Sequence, residues 1–68
     1  MTNSQLYSLT AGSIINKKGT ALCYTYNGIH TGDMYFFTEI PLDDKDDEEL
    51  ESITITRAEL LIGYYRIA

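Results

Sequence analysis

The stretch TALCYTYNGIHTGDMYFFTEI, residues 20–40, decides the fold. Its first part, Thr20 to Tyr26, alternates as a strand does: Leu22, Tyr24 and Tyr26 share one face, and Ala21, Cys23 and Thr25 the other. Asn27-Gly28 is then the strongest local signal in the chain. Both central residues of a type I′ turn need positive φ, which Asn tolerates and Gly adopts freely. A two-residue turn there sets Tyr26 opposite Ile29 and Tyr24 opposite Thr31. Continued, that register places Asp33 opposite Leu22 on an apolar face, so Gly32-Asp33 must interrupt it as a bulge or a second turn. Met34 to Ile40 resumes as a strand, with Tyr35 and Phe37 directed away from Met34 and Phe36. Bulky groups on both faces predict a central strand, or one covered on both sides. Pro41, which lacks the ladder donor, ends it.

Upstream, a first strand is expected around Leu6 to Leu9, interrupted at Ala11-Gly12 and continued through Ser13 to Asn16. Lys17-Lys18-Gly19 forms the turn into Thr20. Downstream, Ser52 to Ile55 reads as a strand. Thr56-Arg57-Ala58-Glu59 is a capping box, with Ile55 and Leu60 at staple positions, and starts a helix over about 57–62 that Gly63 ends. Tyr64-Tyr65-Arg66-Ile67 supplies a closing strand. The expectation is a single domain over residues 1–68, mainly β: a small bent antiparallel sheet or small SH3-like barrel of about five strands with one short helix before the last. In element order it is similar to SH3-like barrels, some of which insert a helical turn before the final strand. Fold of this kind does not fix function.

Charge is distributed unevenly. Asp43, Asp44, Asp46, Asp47, Glu48, Glu49 and Glu51 are seven of the ten acidic residues, and with Lys45 they give the segment 43–51 a net charge of −6. Elsewhere Lys17, Lys18, Arg57 and Arg66 oppose Asp33, Glu39 and Glu59, a net of +1, so the formal charge of −5 comes from one short loop. Such a field attracts cationic partners and repels nucleic acid and anionic membranes. Lys17-Lys18 at a hairpin tip is too small a basic footprint to reverse that.

Sixty-eight residues form a thin core, and small folds commonly add disulfides, metals or oligomerisation. Cys23 is the only cysteine and His30 the only histidine, which closes the disulfide route within one chain and leaves too few N and S ligands for structural zinc. A lone cysteine also suits a reducing interior. The acidic run fails the calcium-loop pattern: counted from Asp44, the sixth residue is Glu49, not Gly, and the twelfth is Ile55, not Glu. His30 has no nucleophile motif around it, and the five glycines show no phosphate-loop spacing. The expectation is a non-enzymatic protein without cofactor or metal. The polar N-terminal stretch reads as neither signal peptide nor membrane span, so the expected location is the cytoplasm.

A run of nine residues spans about 30 Å when extended, at ~3.3 Å per residue. Six net charges over that length can occupy part of a phosphate-binding groove. In size and charge the chain resembles small acidic nucleic-acid mimics, many of them encoded by phages and mobile elements. The resemblance implies an inhibitor or modulator of a larger basic protein or nucleoprotein complex. Its docking surface would be the seven acidic residues, with Tyr64 and Tyr65 adding contact area. The alternative is a structural, self-associating β module whose acidic loop only confers solubility.

Overall fold

The computed structural model describes residues 1–41 and 51–68. It is mainly β: β1 (Ile14–Lys17), β2 (Cys23–Thr31), β3 (Met34–Glu39), β4 (Ser52–Thr56) and β5 (Tyr65–Ile67), with α1 (Asn3–Tyr7) before β1 and α2 (Arg57–Leu61) before β5. All neighbouring strands are antiparallel, in the order β4-β3-β2-β1-β5. Of the two forms expected, sheet or closed barrel, the sheet is open, because β4 and β5 are edges that do not pair with each other.

One face of the sheet carries the core. Ile15, Tyr24, Tyr26, Tyr35, Phe37, Ile55 and Tyr65 are buried there, and Leu6 of α1 and Leu60 of α2 close over them. The aromatic rings interlock rather than stack flat: Tyr26 lies 5.3 Å from Phe37 and 6.1 Å from Tyr35, and Tyr24 meets Tyr65 edge-on at 6.4 Å. The face expected on β3 to be covered is only half shielded. Met34 is exposed and Phe36 half-buried, so β3 is interior by its pairing, with one covered face.

The segment Leu6–Leu9, expected as strand, belongs instead to α1 and the turn after it. The Thr2 side chain accepts from the Gln5 backbone N–H at 3.1 Å, and Gln5 Oε1 accepts from the Thr2 N–H at 2.9 Å, a complete capping box. That pairing satisfies helix donors which a strand at this position would leave without a neighbour. The later piece of the expected strand, Ser13 to Asn16, is close to β1.

Asn27-Gly28 is not a turn. It lies inside β2, and Asn27 does not have the positive φ that a type I′ turn requires. Tyr26 pairs with Phe37 and Tyr24 with Glu39, and the register shifts between Tyr26 and His30. The pair therefore forms a bulge. Gly28 has φ +83°, and a Cβ there would come within 2.8 Å of the Ala11 Cβ, so the loop after α1 presses on this point of the strand. The Gly12 N–H donates to the Tyr26 carbonyl at 2.9 Å, and the Thr38 hydroxyl donates to Asn27 Oδ1 at 2.8 Å. Those contacts hold the bulge against the local turn preference. The hairpin instead turns at Gly32-Asp33, between the paired Thr31 and Met34, with positive φ at Gly32 alone, as in a type II′ turn.

The capping box at Thr56 forms as read. Its side chain accepts from the Glu59 N–H at 3.3 Å, and Glu59 Oε1 accepts from the Thr56 N–H at 3.4 Å. Ile55 and Leu60, the expected staple, are both buried in the core.

Candidate partner surface

Asp43, Asp44, Asp46, Asp47, Glu48 and Glu49 lie outside the described residues. What is described is the last residue of the run, Glu51, immediately before β4. The Glu39 N–H donates to the Glu51 carbonyl at 3.0 Å, and the Ile40 N–H donates to the Cys23 carbonyl at 2.9 Å. Glu39, four residues before the run, is therefore joined to Glu51, its last residue, across one rung at the β3–β4 end of the sheet. Glu51 itself is exposed.

The two tyrosines expected to add contact area part company. Tyr64 is 59% exposed, while Tyr65 is 7% exposed and packs in the core. Burial, with Tyr24 and then Glu59 adding to it, pushes the Tyr65 phenol above its ordinary range. Tyr65 is corrected from surface to core; Tyr64 keeps its place as a candidate. The Tyr64 carbonyl accepts from the Lys18 N–H at 2.8 Å, which sets Tyr64 beside the Lys17-Lys18 turn. Successive registers place this turn and Glu39 towards the same end of the sheet, Tyr64 next to one edge strand and Glu51 next to the other.

Three further features were not singled out from the sequence. Arg57 lies 5.3 Å from the Tyr7 ring centroid, donates to the Tyr7 hydroxyl at 3.0 Å and to Asn3 Oδ1 at 3.3 Å, and so ties the two helices together. The Tyr7 bond raises the Arg57 pKa further above neutrality. Asn16 is buried in β1, donating to the carbonyls of Thr20 and Leu22 at 3.0 Å each and accepting from Arg66 Nε at 3.1 Å. Its bonds hold the β1–β2 turn and β5 at once. Finally, the outer edge of β4 is unpaired among the described residues, which becomes legible only once its partner strand is known.

Cys23 is half-buried, 3.7 Å from Asn16 Nδ2. His30 stacks on Tyr35 at 5.0 Å between centroids, with its ring exposed. Among the described residues, no three His, Cys, Asp or Glu side chains gather as metal ligands, and no helix is long and apolar enough to cross a membrane. Comparison with protein-family models, with curated proteins and with solved structures gave no match.

Proposed function

We propose that this protein is a small, acidic, non-enzymatic binding protein of the cytoplasm that occupies a basic surface on a larger nucleic-acid-processing protein or nucleoprotein complex and inhibits or modulates it. The observation that carries the reading is the charge distribution: −6 within residues 43–51 against +1 over the rest of the chain. Asp43, Asp44, Asp46, Asp47, Glu48, Glu49 and Glu51 supply complementarity to a phosphate-binding groove, and Tyr64 supplies apolar contact area. The Glu39–Glu51 rung supports it only in fixing Glu51, the last residue of the run, beside the start of β4, where it is exposed.

The test is affinity capture from a lysate with the partner identified, using the natural chain and a variant carrying Asp43→Asn, Asp44→Asn, Asp46→Asn and Asp47→Asn. The expected partner is basic, is lost by the variant, and is displaced by duplex DNA. Capture should also weaken steeply as salt rises from about 50 to about 150 mM, because screening shortens the reach of the acidic run's field. Equal retention by both chains, or indifference to salt, overturns the reading.

A further inference from the structure

The outer edge of β4 carries an inference independent of the acidic run. Two bonds bracket the β3–β4 ladder: the Glu39 N–H to the Glu51 carbonyl at 3.0 Å, and the Arg57 N–H to the Asp33 carbonyl at 2.7 Å. Between them Phe37 pairs with Ile53 and Tyr35 with Ile55. Bonded and non-bonded pairs alternate in an antiparallel ladder, so Ile53 and Ile55 bond inward to β3, and Ser52 and Thr54 turn their N–H and C=O groups outward. At Thr56 the outward N–H is already taken by Glu59. The backbone groups of Ser52 and Thr54 have no partner among the described residues.

Edges of this kind are ordinarily protected by charge, proline, a bulge or very short length. The segment Ser52-Ile53-Thr54-Ile55-Thr56 has no charge and no proline, its register with β3 is unbroken, and its residue types favour strands. The opposite edge is blocked. β5 has three residues, and the outward Tyr65 carbonyl accepts from the Met1 nitrogen at 3.4 Å.

We propose that two copies of the chain pair through β4, antiparallel, about a two-fold axis at Ile53. The Ser52 N–H of each copy donates to the second copy's Thr54 carbonyl, and each Thr54 N–H to the second copy's Ser52 carbonyl, closing four bonds. On the inner face the two half-buried Ile53 side chains meet and extend the core across the axis. On the outer face each Thr54 lies opposite a Ser52, a pairing that hydroxyl side chains favour. Charge selects the direction. A parallel pair would set the two Glu51 residues side by side; the antiparallel pair sends them to opposite ends of a five-residue strand, about 17 Å at ~3.4 Å per residue. A head-to-tail contact of β4 with β5 would meet the Met1 block and would not close on itself without a ring. The isologous pair closes at two.

Sedimentation equilibrium of the intact chain tests this from about 10 µM to about 1 mM, a range over which mass action drives weak association. The expected mass rises from 7.7 kDa towards twice that value. Thr54→Pro removes an outward donor and leaves the bonds to β3, a position where an edge strand accepts proline, and should weaken the dimer by at least about tenfold. Ile67→Pro, which removes an outward donor at the other edge, should not change it. In the natural chain the Ser52 and Thr54 amides should gain exchange protection with concentration, a readout that stands even if Thr54→Pro fails to fold. The four Asp→Asn changes at 43, 44, 46 and 47 should leave the dimer intact or tighten it. A strict monomer across the range, a dimer unmoved by a folded Thr54→Pro chain, amides whose protection ignores concentration, or a dimer lost with the Asn changes overturns the proposal.

Discussion

At the β5 edge of the sheet the chain attends to its own loose ends: the Met1 nitrogen reaches the Tyr65 carbonyl, and Arg66 is tied back to the buried Asn16. At the β4 edge the ends of the strand are fastened, by the Glu39–Glu51 rung and by the Thr56 capping box, while its middle has no partner among the described residues. The two edges show different ways of stabilising a marginal fold. One is locked by side chains from distant parts of the chain. The other is held by local bonds and leaves backbone groups that a second molecule can use.

The contrast is broken most severely at Asn16. In an Asn16→Leu chain the Thr20 carbonyl loses the Asn16 donor and Arg66 loses its acceptor, while the Leu22 carbonyl keeps the Lys17 N–H. Losing these bonds costs about 2 kcal/mol, a large share of what a domain this size has. Denaturant titration should show that loss, and amide exchange should show protection falling first in β5. A uniform fall in both edge strands would mean that the edges are not held separately.

A smaller effect sharpens the comparison from the β4 side. Thr56→Ala removes the cap between β4 and α2, an expected loss of about 1 kcal/mol, whereas Thr2→Ala at the otherwise similar box of α1 should cost roughly half as much. The difference follows from what each helix carries: Leu60 is completely buried, while α1 is exposed apart from Leu6. Thermal unfolding of the two variants side by side checks the order.

The smallest effect is one of pH. Burial raises the phenol of Tyr65, and burial followed by the nearby Tyr35 raises that of Tyr26. The folded chain thus keeps protons that the unfolded chain releases near pH ~10. This contribution is fully present below that pH and is lost as pH rises through the folded values. Alkaline titration should show late tyrosine ionisation that merges with unfolding, and Tyr65→Phe should remove the β5 share of it. Unchanged titration in that variant would place Tyr65 outside the core.

Much of the fold was legible where the signal was local. The Thr56–Glu59 box, the turn after Lys17 and the alternation of Tyr24 and Tyr26 all depend on neighbours in sequence. The box from Thr2 to Gln5 goes unread, because the apolar residues after it read together as a strand, and the burial of Leu6 in the core belongs to a helix instead. Asn27-Gly28 misled because its turn preference is worth less than the contacts that Ala11, Gly12 and Thr38 make with the bulge. On the candidate surface, the acidic residues are conspicuous in sequence. Whether Tyr64 or Tyr65 faces out depends on a single residue of register against β1, which composition does not encode. The open edge of β4 is invisible for the same reason: which amides point outward is known only once β3 has taken the others.

The bond between Asn16 and Arg66 spans fifty positions of the chain. During synthesis, the partner of β1 on that side does not exist until residues 65–67 have been made. The hairpin of β2 and β3 can form early from sequence neighbours, but Asn16 and Ile15 wait for a strand from the far side of the acidic run. The β1–β5 pairing is therefore a long-range contact of the kind whose loop closure slows folding, and until residues 65–67 are made that side of β1 has no β5 to pair with.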